Sequence, residues 1–276
     1  MALIDKLTAI ANAIRSKTGS TDPLSLDDMP TAIEGIQSGS GGESTAVEPY
    51  IEETYDDSGG LIDVNMVGYS KVRSYAFYGC KKLALTSLPS GLTSIGSYAF
   101  YNCSNLALTS LPSGLTNIES YAFQNCKNLA LTSLPSGLTN ISDSAFSSCS
   151  NLALTSLPYG ITSIGREAFY GCSNLALTSF PDSITSIGQW AFRDCTLLPS
   201  TIVLPSSLTI FNSGVFKGVN VTTITFTRKL TSVMSDMLSI SDYPNLTTIN
   251  VPWSQGEVNY APWGAKNATI NYNYTG

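Results

Sequence analysis

The sequence predicts a repeat solenoid of short parallel β-strands joined by tight helical turns, with a small α-helical module ahead of it. Three features of the chain lead there. From about Tyr75 to Cys195 the sequence copies itself every 23 residues. Within each copy, short stretches alternate between apolar and polar residues, which is the period of a strand. A unit of that size cannot bury its apolar side alone, so stacking on its neighbours must supply the core.

The repeat is strict in four columns. Phe77, Phe100, Phe123, Phe146, Phe169 and Phe192 are spaced by 23, and so are Cys80, Cys103, Cys126, Cys149, Cys172 and Cys195. Leucines from Leu83 to Leu198 and prolines from Pro89 to Pro181 keep the same step. Each unit divides in two. The stretch LALTSLP and the Gly-Leu-Thr-Ser-Ile after it are expected to form short strands. The stretch xYAFxxC is expected to form a tight helical turn that inserts Ala and Phe into the core. Proline sits between, where a missing donor is tolerated. The expected array runs over 73–218.

The flanks read differently. In residues 1–36, Leu3, Leu7, Ile10 and Ile14 fall at steps of 4, 3 and 4, a short heptad seam for attachment or self-association. Gly19 ends that helix, and a second short helix follows near Asp27, Asp28 and Pro30. About 36 residues form too small a core to stand alone, so docking or oligomerisation is expected. Residues 37–46 read as a flexible Gly/Ser linker. Residues 47–72 read as a β-hairpin that caps the first coil: EPYIEETY and LIDVNMVGY flank the turn Asp56–Gly60. Residues 219–276 read as atypical repeats and a Trp- and Tyr-rich C-terminal cap, since terminal repeats must face water. One residue is inserted after Cys195, so Phe216 falls 24 after Phe192, and Val219 takes the cysteine position.

Composition narrows the function. The net charge is −6 and only 12% of residues are charged. Charges balance within the array, so there is no basic stripe to track phosphates and no nucleic-acid partner is expected. No run of apolar residues is long enough to span a membrane. The N-terminus is amphipathic and does not read as a secretory signal. With no histidine in the chain, Ser-His-Asp and Cys-His catalysis and most zinc enzymes are excluded. Acidic residues fall singly at different phases of the repeat, so no glycosidase pair is assembled. No phosphate-binding loop occurs. No catalytic residue, cofactor or metal site is expected. Six cysteines in one column would stand parallel, a poor geometry for disulfides, and are expected to be buried thiols.

Two stretches resemble known families. The pattern I-G-x-x-A-F-x-x-C-x-x-L, from Ile95-Gly96 to Leu106, resembles the bacterial BspA-like leucine-rich repeats. The resemblance spans about 71–250. It implies a right-handed leucine-rich-repeat solenoid used for adhesion or recognition, without catalysis. The head, with AIRSKTG and LDDMPTAI, resembles the short N-terminal module of tail and baseplate-associated proteins from phages of Gram-positive hosts. That resemblance implies contacts with other tail proteins through 1–36, a homo-oligomer with a trimer favoured, and a place in the virion tail.

Variation between units concentrates around the Ala-Phe turn. Two residues before Phe the series is Tyr75, Tyr98, Tyr121, Ser144, Glu167, Trp190. One residue after Phe it is Tyr78, Tyr101, Gln124, Ser147, Tyr170, Arg193. Three before Phe it ends in Arg166 and Gln189. A strip of rigid amphipathic aromatics is a recognition surface in kind. The expected recognition residues are Tyr75, Tyr98, Tyr101, Tyr121, Arg166, Glu167, Tyr170, Trp190 and Arg193. The expected function is a phage tail fibre or tail-tip protein whose solenoid contacts a host surface receptor such as wall polysaccharide. The alternatives are a bacterial surface or secreted adhesin, and a tail decoration without receptor activity.

Overall fold

The computed structural model describes residues 50–230, 237–257, 261 and 263–275. The chain divides into two units, Met1–Val47 and Glu48–Gly276. The first lies outside the described residues, and with it the expected helical module, its seam Leu3, Leu7, Ile10 and Ile14, and the linker 37–46.

The second unit begins with β1 (Tyr50–Tyr55) and β2 (Leu61–Val67), paired antiparallel with Tyr50 opposite Val67. Asp56 shapes the turn between them: its Oδ1 accepts from the Ser58 and Gly60 amides at 3.0 and 2.9 Å. Lys82 Nζ reaches Asp56 Oδ2 at 2.6 Å and ties the turn to the first coil. That ammonium, with Ser58 and Gly60, holds the Asp56 carboxyl well below the usual carboxylate range. β2 alternates, burying Val64 and Met66. It lies where a preceding coil would lie, since the Ala84 amide donates to Ile62 O at 2.9 Å.

The repeat then winds as a parallel solenoid. Each unit contributes two strand residues: β3 (Lys71–Val72), β4 (Ser94–Ile95), β5 (Asn117–Ile118), β6 (Asn140–Ile141), β7 (Ser163–Ile164) and β8 (Ser186–Ile187). Each residue pairs with its equivalent one unit away, as Ile95 does with Ile118. The inserted residue is absorbed before β10 (Ile210–Phe211), which still pairs with β8. The LALTSLP stretches depart from the expectation, for they form no strand. Proline at their end removes a donor, and the Ala107 amide to Leu85 O typifies the bonding between coils there. That column becomes a sheet only past Cys195, as β9 (Thr201–Val203), β11 (Thr223–Thr225), β12 (Thr248–Asn250) and β13 (Thr269–Asn271).

The expected helical turns are absent; among the described residues there is no helix. The backbone explains why. In the second coil, the Ala99, Tyr101 and Cys103 amides close tight turns onto Gly96, Tyr98 and Phe100 carbonyls. The amides between them, of Tyr98, Phe100 and Asn102, donate instead to Ser120, Ala122 and Gln124 of the next coil, at 2.7 to 3.1 Å. A helix needs its amides for its own carbonyls. Two residues per unit also take left-handed backbone. Tyr98 has φ 58° and Asn102 has φ 61°, and such residues end a helix. The segment is therefore a run of closed turns whose alternate amides stitch one coil to the next.

Inside, the repeat columns become ladders. Phe77 through Phe192 and then Phe216 stack one on the next, with centroids from 5.2 Å (Phe77–Phe100) to 5.7 Å (Phe146–Phe169). Cys103, Cys126, Cys149, Cys172 and Cys195 are buried free thiols, and Cys80 is half-buried. Each buried thiol donates to the phenylalanine carbonyl one coil back, as Cys103 Sγ does to Phe77 O at 3.0 Å. Burial pushes the Cys103 thiol up to about 12 and raises the others. Gly96 fits where a Cβ would come within 2.5 Å of Ser74 N. At the far end Phe226, Trp253 and Trp263 meet in tilted and edge contacts, and Trp263 is fully buried.

Candidate recognition surface

The same turns that sink Ala and Phe into the core push their other side chains outward. The residue two before Phe has positive φ in every coil: Tyr75 62°, Tyr98 58°, Tyr121 62°, Ser144 53°, Glu167 55°, Trp190 58°, and Gly214 62°. So does the residue two after Phe, from Gly79 at 74° through Asn102, Asn125, Ser148, Gly171 and Asp194 to Gly218 at 78°. The second series holds residue types that tolerate this backbone. The first does not, since Tyr, Glu and Trp each bear a cost of about 1–3 kcal/mol there. Bulky side chains are held at a position where glycine would be easier.

Stacking offsets part of that cost. Tyr75, Tyr98 and Tyr121 lie ring on ring, 4.9 and 4.6 Å apart and within 7° of parallel. Tyr78 and Tyr101 form a second stack at 4.8 Å, tilted against the first. Each stacked pair is worth about 0.5–1.5 kcal/mol beyond its buried area. Packing within this cluster raises the Tyr98 phenol above its ordinary value, through desolvation first and its tyrosine neighbours next. Tyr98 has a ring against each of its faces. It therefore presents an edge and a hydroxyl outward, not a face.

The Tyr stacks end at the fourth coil, where Ser144 and Ser147 are 3% and 1% exposed beneath taller neighbours. Ser147 Oγ is buried without a hydrogen-bond partner. Beyond it lies a second cluster of different chemistry. Arg166 sits over the Trp190 ring at 5.2 Å and Arg193 over Tyr170 at 5.3 Å and Trp190 at 5.8 Å. Glu167 Oε1 pairs with Arg166 at 3.0 Å, and Asp194 lies 3.3 Å from Arg193 Nε. That last contact is an ion pair rather than a hydrogen bond, because Nε has no acceptor in line. The expected recognition residues thus form two patches: Tyr75, Tyr98, Tyr101 and Tyr121 in one, and Arg166, Glu167, Tyr170, Trp190 and Arg193 in the other.

Tyr78 completes the first patch, and its place in the series one after Phe was the signal for it. Tyr159, 91% exposed, stands apart. It replaces a serine of the Pro-Ser-Gly turns, a break in an otherwise small-residue column. Three acids in the array have structural tasks, among them Asp182, whose Oδ1 accepts from the Ser206 amide and hydroxyl at 3.0 and 3.1 Å. Glu119 Oε2 accepts from the Ser97 amide and hydroxyl at 2.9 and 2.8 Å, and Asp143 Oδ1 from the Arg166 amide at 2.7 Å. Among the described residues no group of cysteines and acids is placed to hold a metal ion. A polar cleft of about 840 Å³ separates β2 from the loop Leu85–Gly91 and contains Glu52, Asp63 and Asn65.

A 23-residue coil with Leu, Phe and Cys ladders and short parallel strands defines a leucine-rich-repeat solenoid. The chain belongs to the BspA type leucine rich repeat family, which matches residues 70–199 and 145–261 in six copies. A leucine-rich repeat protein of T. pallidum is 30% identical, with a TM-score of 0.48 over 61% of this chain and 86% of that one. A leucine-rich cell surface protein of Faecalibacterium prausnitzii is 19% identical, with a TM-score of 0.37 over 84% and 97%. The pneumococcal vaccine antigen PcpA is 17% identical, with a TM-score of 0.43 over 80% and 81%. No curated protein matches the chain in sequence. The resemblance of the head to phage tail modules has no counterpart among these matches.

Proposed function

We propose that the chain is a non-catalytic recognition protein of the adhesin kind, displayed on a cell surface and binding through the outward side of its turns. One observation carries this reading. The turn column holds aromatic and charged side chains on left-handed backbone, a costly placement that the Phe, Cys and Leu ladders do not need. In the tyrosine patch Tyr98 offers a ring edge and a hydroxyl, and Tyr75 and Tyr78 each add one open ring face, suited to a polar, uncharged partner surface. The second patch offers two guanidinium groups framed by Trp190 and Tyr170. Wall polysaccharide remains the ligand class to try first, but the stacked tyrosines would meet it mainly through hydrogen bonds.

The test is adhesion by the purified full chain. Immobilised protein is challenged with whole Gram-positive cells and with isolated wall glycan. A triple variant, Tyr98→Ala, Tyr121→Ala and Trp190→Ala, should bind at least tenfold less while keeping its circular dichroism. Equal binding by the variant would sink the reading.

A second reading rests on the head, where AIRSKTG and LDDMPTAI favour attachment to a virion tail, as a homo-oligomer held by 1–36. The solenoid would then face the host, and several copies would add avidity. Antibody against the solenoid separates the two: it labels intact bacterial cells in the first case and purified tails in the second.

A further inference from the structure

The two ends of the turn column are unlike. In every inner coil three turn carbonyls accept amides from the coil before. Ser97, Ala99 and Tyr101 carbonyls, for example, accept from Tyr75, Phe77 and Gly79 at 2.9, 2.8 and 2.7 Å. The matching carbonyls of the first coil, on Ser74, Ala76 and Tyr78, have no donor among the described residues. Nothing covers this end there. Ala76 is exposed, whereas Ala99, Ala122, Ala145, Ala168 and Ala191 are fully buried. Tyr75 and Tyr78 are 58% and 52% exposed, each with one ring face against the next coil and the other open. Arg73 is exposed where Gly96, Gly165 and Gly188 of later coils have no room for a Cβ. The hairpin caps the strand side of the first coil and leaves its turn bare.

The opposite end is closed. The Phe216 amide donates to the Tyr243 hydroxyl oxygen at 3.1 Å, and Lys217 pairs with Asp242 at 2.7 Å. The middle amide of the last turn is thus taken, and a second copy has no complete row of three free turn amides to offer end to end.

We infer that the open first turn is a docking site for a polypeptide segment of a partner protein, which adds one further turn to the solenoid. Its alternate amides would donate to the Ser74, Ala76 and Tyr78 carbonyls, and its side chains would cover the open faces of Tyr75 and Tyr78. The occupant follows from the coil-to-coil interface that this edge continues. Every inner coil meets the same three carbonyls with three main-chain amides at two-residue spacing, so a peptide turn is the known complement. It is the turn counterpart of strand addition at a sheet edge. This goes beyond the lateral recognition face: it concerns the end carbonyls of the first turn, and its decisive variants, at Tyr75 and Tyr78, are not those of the adhesion test.

The experiment uses the full chain and a fluorescein-labelled peptide copying Gly91–Ser113, read by fluorescence anisotropy. Saturable binding is expected. Tyr75→Ala with Tyr78→Ala should weaken it at least tenfold, while Tyr75→Phe with Tyr78→Phe and the distant Tyr121→Ala should stay within twofold. N-methylation of the peptide amide equivalent to Phe100 should also cost at least tenfold. The inference is overturned if the peptide does not bind, or if a scrambled or N-methylated peptide binds equally. It is also overturned if the phenylalanine pair loses binding. An N-acetylglucosamine tetramer that binds at Tyr75 and Tyr78 in place of the peptide would reassign the site to glycan.

Discussion

One 23-residue repeat builds two aromatic ladders, one on each side of the same turn. The inner ladder of phenylalanines is unbroken from Phe77 to Phe216 and almost wholly buried. The outer ladder starts as three stacked tyrosines, stops at Ser144, and resumes as Glu167 and Trp190. Both stack at the coil spacing. They differ in what depends on them. The inner rings share a buried core with the leucine, isoleucine and cysteine columns. The outer rings stand on strained backbone, where the mutual stacking of the tyrosines offsets part of the local cost. Invariance along the chain thus marks architecture, and interruption marks where the surface is free to change.

Breaking the inner ladder should give the largest effect. Phe146→Ala removes a fully buried ring from the middle of the stack and should cost about 3–5 kcal/mol. Because each coil leans only on its neighbours, urea unfolding should also broaden or split into two transitions. A single transition within about 1 kcal/mol of the parent would show that the ladder is not the core's mainstay.

The cysteine ladder gives a second large effect through pH. Burial raises the Cys103 thiol from an ordinary 9.0 to about 12. The folded state therefore holds a proton that the unfolded chain releases, and stability falls as pH rises. The contribution is complete below about pH 9 and is lost progressively towards pH 12, by up to ~4 kcal/mol for Cys103 alone. Urea midpoints at pH 8, 10 and 11 check this. Cys103→Val should remove its share of the fall and leave that of the other buried thiols, and an unchanged midpoint at pH 11 in the parent would refute it.

Much of this was legible in the sequence because a repeat converts spacing directly into stacking. The Phe, Cys and Leu columns become ladders for that reason, and the repeat family follows. The helical turn was misread because xYAFxxC has helix-forming residues, while its amides are claimed by the next coil. Asn102, Asn125 and Asp194 hinted at left-handed backbone two residues past Phe. Nothing in the identity of Tyr98 or Trp190 hints at the same backbone two residues before it. LALTSLP misled through its alternation, which reflects burial of Leu106 and Leu108 without a strand's hydrogen bonds. The two-patch surface is also hidden, since spacing along the chain does not reveal that Tyr98 has a ring against each face.

A smaller effect separates stacking from strain in the outer ladder. Tyr98→Ala loses two stacked neighbours and keeps a left-handed non-glycine residue, so it should cost about 1–3 kcal/mol. Tyr98→Gly loses the same stacks but relieves the backbone. It should therefore be about 1 kcal/mol more stable than the alanine variant. If the glycine variant is the weaker one, the left-handed cost at this position is smaller than the loop entropy that glycine adds.

The smallest effect lies where the outer ladder is broken, and there the sign should reverse. Ser147 takes the column position held by Tyr101 and Tyr170, yet it is 1% exposed and its hydroxyl has no partner. A buried unpaired hydroxyl forfeits its hydrogen bonds to water, which costs about 1–3 kcal/mol. Alanine keeps the Cβ and removes that group, leaving a hole no larger than one oxygen. Ser147→Ala should therefore stabilise the chain by about 1 kcal/mol. A comparable polar-to-apolar change at exposed Ser113 should move nothing, because water satisfies that hydroxyl. Thermal melts of the two variants beside the parent decide it. A loss of stability in Ser147→Ala would mean that the hydroxyl is satisfied in solution, by a water seated beside it. The gap in the outer ladder would then be a hydrated notch and not a packed seam.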